Sequence, residues 1–364
     1  MIRYLRSWFE RHFSDPQVVI LALVIMIGVA IVVFAGHLLA PLLASVVIAY
    51  LLEGAVRRLE RWRVPRFVAV LVVFILFLSL FISMMLLLVP LLAGQLSQLA
   101  RELPAIVSKT QILMLQLPER YPQIFSEQQI VELLNSLRKN ITDFGQQLVV
   151  LSLSSAVQLV TLLVYLILVP LLVFFMLKDK NDIIDWLLLF LPKERSLVNV
   201  VWHDVDAGIG NYVRGKFFEI LIVWSVSYVV FSFLALPYAL LLSLVTGLSV
   251  IVPYLGAAVT TIPVAGVAAF NFGFEPAFWY VLAAYGIIQF LDGNLLAPLL
   301  FSEVVNLHPV AIIVAVLLFG GMWGVWGLFF AIPLATLFHS VVKVWFTHHT
   351  RHLRTDGNRS PAAS

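Results

Sequence analysis

The sequence predicts an all-α polytopic membrane protein with about eight transmembrane helices. Three observations predict it. Of 364 residues, 62% are hydrophobic and 12% charged, where a soluble domain carries roughly a quarter of its residues as charges. The stretches 16–52, 67–100 and 144–177 contain no Lys, Arg, Asp or Glu, and a spanning helix needs about 20 apolar residues. The charged residues lie in blocks between the apolar segments, as topology requires. A water-soluble core of this size is thereby excluded. The net charge of +3 belongs to the loops and predicts no nucleic-acid partner; the partners expected are the lipid bilayer and a small solute or ion. There is no cysteine, which excludes disulfides and Cys-based metal or redox sites.

Residues 1–16 open the chain. Tyr4, Leu5, Trp8, Phe9 and Phe13 can share an apolar face while Arg3, Arg6 and Arg11 stay polar. The pattern suits a helix lying in the headgroup layer or, equally, a frayed terminus. The apolar run after Pro16 is too long for a signal-peptide core. Residues 17–93 predict transmembrane helices 1–3. Apolar segments at 18–35 and 38–52 are separated at Gly36-His37, and a third runs over 67–90. Between the second and third stand Arg57, Arg58, Arg61, Arg63 and Arg66, which mark a cytoplasmic side. Two crossings from there return the N-terminus to the cytoplasm.

Residues 94–147 mix charges of both signs. Leu92, Leu96, Leu99, Leu103, Ile106 and Leu113 recur at helical spacing, as do Ile130, Leu134, Leu137, Ile141 and Leu148, with Pro118 and Pro122 between the two runs. The pattern predicts a soluble helical hairpin on the periplasmic side. Residues 148–177 predict transmembrane helix 4, with Pro170 inside it. Residues 178–216 are polar and amphipathic, carrying Lys178, Lys180, Lys193, Arg195, Arg214 and Lys216, and are expected in the cytoplasm as a linker.

Residues 217–346 predict the translocation region. Apolar segments at about 217–235, 238–252, 255–270, 277–290, 309–322 and 325–346 are punctuated by Pro237, Pro253, Gly256, Pro263, Pro298 and Pro309. Several are shorter than the roughly 17 residues that span a bilayer untilted, so broken or re-entrant helices are expected. If 238–252 and 255–270 pair as a re-entrant element, eight segments cross; if both span, ten do. Either parity leaves the C-terminus, with Arg351 and Arg354, in the cytoplasm. The tail 347–364 is polar and expected to be disordered. Gly256 to Pro263 and Gly327 to Pro333 each carry a glycine followed by Ile-Pro, too little to establish a repeat.

No enzyme motif survives inspection. There is no phosphate-binding Gly-Lys-Ser loop and no zinc-binding His-Glu-x-x-His helix. His348, His349 and His352 fit a solvated basic end, so no metal site and no cofactor are expected. The informative feature is a charge asymmetry. Residues 217–342 hold no Lys or Arg, and their acids are Glu219, Glu275, Asp292 and Glu303. Intramembrane carboxylates are usually paired, cavity-facing or functional. Four acids without a local basic partner suit proton or sodium coupling, whereas loop placement of Glu275 and Glu303, with Glu219 paired to Lys216 or Arg214, is the plain alternative. Asp292 stands with Gln289, Gly293, Asn294 and Pro298 between apolar segments. Gly293 permits a turn and Pro298 frees a carbonyl acceptor. The element is read either as a broken helix contacting solute or cation, or as an ordinary Asp-Gly-Asn turn. His308 before Pro309 is read as a proton relay or a helix cap. Pro253 and Gly256 mark a hinge. Gly320, Gly321, Gly324 and Gly327 allow close helix approach.

Several strings resemble the autoinducer-2 exporter family of membrane permeases, in particular its PerM-like members. They are Phe13-Ser14-Asp15-Pro16, Ala49-Tyr50-Leu51-Leu52-Glu53, Val169-Pro170 through Lys178-Asp179-Lys180, Tyr212-Val213-Arg214-Gly215-Lys216, Val252-Pro253-Tyr254-Leu255-Gly256-Ala257, Asp292-Gly293-Asn294, Val305-Asn306-Leu307-His308-Pro309 and Phe319-Gly320-Gly321-Met322-Trp323-Gly324. Their order spans nearly the whole chain. The resemblance implies an eight-helix permease fold in the bacterial inner membrane, with a soluble helical insertion after the third helix, assembling as a homo-oligomer, namely a pentamer. It implies export of autoinducer-2 or, as in some members, sodium/proton antiport. Arg214-Gly215-Lys216 departs from the Gly-Gln of many members.

The leading functional expectation is therefore a secondary transporter, not an enzyme, with its gate near Asp292. A passive oligomeric channel, and a non-transporting scaffold acting through the 94–147 hairpin, are the alternatives.

Overall fold

A computed structural model describes residues 16–115, 156–189, 196–253, 255–301, 308–324 and 326–338. The regular structure among them is helical throughout. Hydrocarbon offers no partner to a backbone N–H or C=O, so a spanning segment must close its hydrogen bonds internally. Among the described residues five helices are long and apolar enough to cross a bilayer: Leu39–Arg61, Arg66–Glu102, Gly208–Phe233, Leu255–Phe272 and Pro276–Phe301. Shorter apolar helices cover Val164–Lys178, Ala239–Ser249, Val310–Trp323 and Trp326–Phe338. The protein is polytopic, as the composition requires.

In chain order, α1 is Pro16–Arg61. The break expected at Gly36-His37 is absent: α1 passes through it and through Pro41, and its 46 residues extend about 70 Å at 1.5 Å per residue. A glycine inside a helix costs only about 1 kcal/mol relative to alanine, so a single glycine between two apolar runs does not end one. The two-crossing count that placed the N-terminus in the cytoplasm loses its basis.

Next, α2 (Arg66–Ser83), a π-helical turn (Met84–Leu88) and α3 (Val89–Leu115) form one uninterrupted helix. The first arm of the expected hairpin is thus continuous with a spanning helix; its second arm lies outside the described residues. α4 is Ala156–Lys178 and α5 is Lys180–Leu188. α6 (Ser196–Phe233) joins the expected linker to the next span without interruption. α7 (Ala239–Ser249) has 11 residues, about 16 Å, too short for a hydrocarbon core of about 30 Å. α8 is Leu255–Phe272. α9 (Pro276–Leu291), a second π-helical turn (Asp292–Leu296) and α10 (Ala297–Phe301) again run on as one helix. α11 is Pro309–Trp323 and α12 is Trp326–Phe338.

The chain forms two compact units, one of Met1–Val73, Leu168–Lys216 and Phe301–Ser364, the other of Phe74–Ile167 and Phe217–Leu300. In the first, α1 packs on α11. Its core gathers Tyr212, Val213 and Ile332 with Val47, Phe301 and Phe329. The Tyr212 hydroxyl donates to the Phe329 carbonyl at 3.2 Å. Gly324 turns the chain from α11 to α12 with φ 59°, a conformation open to glycine at no steric cost. In the second unit, α3 packs on α7 and α8, and α8 on α9. Its core gathers Phe231, Leu236, Leu242, Val264, Phe278 and Val281. The α6–α7 turn holds Ala235 and Tyr238 at φ 52° and 59°, both non-glycine residues in left-handed geometry.

Candidate functional site

In the second unit, one stripe of α9 faces inward. Val281, Tyr285 and Ile288 are buried and Gln289 and Asp292 half-buried. Their spacing of four, seven, eight and eleven residues from Val281 places them on one side of the helix. Ile287, Phe290 and Leu291, on the other side, are exposed, as a lipid-facing surface should be. Polar groups thus line the inner stripe of a helix that is otherwise almost wholly apolar.

Hydroxyls from α7 and α8 meet this stripe. The Tyr285 hydroxyl donates to the Ala257 carbonyl at 2.7 Å and lies 2.7 Å from Thr260 Oγ1. Thr260 donates to the Gly256 carbonyl at 2.8 Å, with Ser249 Oγ at 3.4 Å. Ser249 donates to the Thr246 carbonyl and Thr246 to the Leu242 carbonyl, at 2.7 and 2.8 Å. This seam exists because Gly256 lets α7 and α8 touch: a Cβ there would stand 1.8 Å from the Ser249 carbonyl oxygen. Gly247 does the same between α7 and α6, since its Cβ would meet Trp224 Cβ at 2.7 Å. Gly256 is a close-packing residue, and Pro253 is half-buried in the turn that precedes it.

Of the two readings of Asp292-Gly293-Asn294, a broken helix or an ordinary turn, the structure does not form the turn. The helix continues, widened into the π form, with the Ala297 N–H donating to the Asp292 carbonyl five residues back. Pro298 supplies the cause. A proline ring inside an α-helix clashes with the carbonyl four residues earlier, and a wider turn just ahead of it relieves the clash. Met84–Leu88 repeats the device before Pro90, with Val89 N–H donating to Met84 O. Asn294 is exposed and its side-chain amide donates to the Phe290 carbonyl at 2.9 Å, while Gly293 and Pro298 are exposed.

The remaining candidates separate. Glu219 is 3% exposed. Arg214 donates to Asn211 Oδ1 at 2.8 Å in the first unit. His308 caps α11: its Nδ1 accepts from Val310 N–H at 3.3 Å. Glu275 is exposed at the start of α9. Glu303 lies outside the described residues. In addition, Trp224 Nε1, Ser227 Oγ and Gln289 Nε2 are buried without a hydrogen-bond partner among the described residues. Buried polar groups normally find a partner, so these donors have capacity to offer a polar guest.

Sequence reasoning missed a knot of charge in the first unit. Glu53 Oε1 lies 3.0 Å from Lys180 Nζ and 3.2 Å from Arg57 Nε, and its Oε2 3.6 Å from Arg66. Arg66 also pairs with Glu60 at 3.2 Å and donates to the Leu177 carbonyl at 3.1 Å. Lys216 is 3% exposed, its ammonium 5.0 Å from the centre of the Phe301 ring. Glu53 and Lys180 both stand in the strings that carried the family resemblance, which was the available signal.

Comparison with known proteins decides the family. The profile described as AI-2E family transporter matches residues 20–347. The chain belongs to the AI-2E transporter family. PerM of Escherichia coli is 43% identical over 345 residues, covering 95% of this chain and 98% of its own. YueF of Bacillus subtilis is 26% identical, with 96% and 98% covered. The AI-2 transport protein TqsA of Escherichia coli is 24% identical, with 87% and 90% covered. As an AI-2E transporter the protein is an integral membrane permease that moves a small solute across the bilayer.

Proposed function

We propose that the seam of the second unit is the solute path of this transporter. One observation carries the reading: Tyr285, Gln289 and Asp292 share the inner stripe of α9, in a region without Lys or Arg from 217 to 342. A carboxylate with hydroxyl and amide donors suits a small polar solute and repels anions. The TqsA relative directs the first trial to autoinducer-2, and the acid-only region supports coupling to protons or sodium. Asp292 is the coupling carboxylate in this reading, because it is the acid on the inner stripe of α9 and intramembrane carboxylates mark ion and proton pathways.

The arginine turn supports an inner-membrane location with residues 57–66 facing the cytoplasm, and Arg351 and Arg354 support the same side for the C-terminus. The family resemblance supports a homo-oligomer, a pentamer, with transport rather than catalysis as its work.

Flux of autoinducer-2 into proteoliposomes, compared between wild type and Asp292→Asn across pH, tests the proposal. Asp292→Asn should lower the flux and flatten its pH dependence. Equal and equally pH-sensitive flux in both removes Asp292 from the path. Flux indifferent to any ion gradient makes the protein a passive channel.

A further inference from the structure

The turn joining α1 to α2 does more than connect them. Its backbone is fixed by Trp62 N–H to Leu59 O and Arg63 N–H to Glu60 O, both 2.9 Å, and by Val64 N–H to Leu59 O at 3.3 Å. Arg63 is held at φ 64°. A non-glycine residue in left-handed geometry persists where its surroundings over-determine it, and such residues cluster at ligand clamps.

The last turns of α1 have two adjacent faces. Glu53, Arg57 and Glu60, spaced by four and seven, lie on one; there the carboxylates are answered by Arg57, Arg66 and Lys180. Arg58, Arg61 and Trp62, spaced by three and four, lie on the other, and Arg63 follows. All four are exposed. No carboxylate among the described residues forms an ion pair with Arg58, Arg61 or Arg63. The knot therefore consumes the acids and leaves three guanidinium groups uncompensated beside an indole.

Position names the occupant. Leu39–Arg61 and Arg66–Glu102 are both long and apolar enough to span, so the turn between them lies at the hydrocarbon edge, in the headgroup layer. Trp62 is 71% exposed and Phe67 57%; indole rings favour that depth because one end is apolar and the other polar. A guanidinium grips a phosphate through two parallel N–H bonds. We propose that Arg58, Arg61 and Arg63, with Trp62 as apolar anchor, form a binding site for the phosphate headgroup of an anionic phospholipid. A zwitterionic lipid brings its own cation to the site and gains less.

The test uses the full chain, purified in detergent and stripped of lipid. It is titrated separately with phosphatidylglycerol and phosphatidylcholine, and bound lipid is counted by native mass spectrometry. Wild type should prefer phosphatidylglycerol. The triple change Arg58→Gln, Arg61→Gln, Arg63→Gln should lower that preference by about fivefold per arginine. Arg57→Gln, on the other face, should leave it intact. Arg63→Gly is the second variant, because glycine adopts φ 64° without strain and the turn survives; it should lose about fivefold. Equal binding of the two lipids by wild type, or an unchanged preference in Arg63→Gly, overturns the assignment. Displacement of bound phosphatidylglycerol by excess inorganic phosphate overturns it too, in favour of a soluble-phosphate site.

Discussion

The hydroxyls of Thr260 and Tyr285 lie 2.7 Å apart and join α8 to α9 inside an apolar unit. The Ala257 carbonyl completes the arrangement, accepting from Tyr285 at 2.7 Å and from Thr261 at 2.8 Å. Thr260 and Thr261 both bond back to carbonyls four residues earlier, a habit that weakens and bends helices. Tyr285 thus steadies a first turn of α8 that its own side chains loosen.

Tyr285→Phe should therefore lower stability by about 1 kcal/mol, the net worth of one hydrogen bond, since the Ala257 carbonyl keeps Thr261 as a donor. Thr260→Val should cost a similar amount. The double variant should cost less than the sum, because the two hydroxyls are in contact at 2.7 Å and neighbouring groups are not additive. Melting temperatures in detergent, run as a double-mutant cycle, check this; strict additivity would mean the hydroxyls do not interact.

Gly256 and Gly266 sit on the same helix and should respond oppositely to alanine. At Gly256 the new Cβ would stand 1.8 Å from a backbone oxygen, so α7 and α8 must part. Gly256→Ala should abolish flux or folding, as overpacking commonly costs 1–3 kcal/mol or more. At Gly266 nothing lies within 4 Å, and alanine should add up to about 1 kcal/mol through helix propensity. Circular dichroism melts of the two variants give the comparison.

The helical, membrane-embedded character was legible because charge-free length leaves no other solution. The junctions were not. Gly36-His37 and Asp292-Gly293-Asn294 both have good turn chemistry, yet a helix crosses each. Local preference of a few tenths to about 1 kcal/mol per residue loses to the cost of exposing unbonded backbone to hydrocarbon. Pro298 was the available signal in the second case, since a proline inside a helix clashes with the carbonyl four residues earlier and a widened turn is one way to relieve it. The seam was half legible: Gln289 and Asp292 stood out as polar, but Tyr285, Thr260 and Ser249 look ordinary until the fold brings them together. The Glu53–Lys180 pair spans 127 residues and has no local signature.

Glu53→Gln should destabilise the first unit by about 1–3 kcal/mol, since it takes the counter-charge from Lys180 and leaves Arg66 with Glu60 alone. Its side chain is 12% exposed, against 61% for Arg57. Arg57→Gln should consequently cost under 1 kcal/mol and vanish in high salt, while the Glu53→Gln defect should persist there. Melting in low and high salt separates the two, and equal salt sensitivity would mean that Glu53 is solvated.

Helix α3 holds the start of α7 at two points seven residues apart. Gln95 Oε1 accepts from Leu241 N–H at 2.9 Å, capping one of the donors a helix start leaves open. Tyr238, between the 208–233 span and α7, donates to the Glu102 carboxylate. Burial, and then the Glu102 carboxylate, push the Tyr238 phenol above its ordinary value of 10. A raised folded-state value means that the folded form holds the proton more tightly than the unfolded one. That contribution is complete below the unfolded value near 10 and declines as pH rises from there toward the folded value. Wild type should lose thermal stability above about pH 10, and Tyr238→Phe should start lower at neutral pH and show a shallower alkaline decline. Gln95→Leu should cost about 1 kcal/mol and speed deuterium exchange at Leu241 with no change in the alkaline slope. The same slope in wild type and Tyr238→Phe would show that the phenol is not held by Glu102.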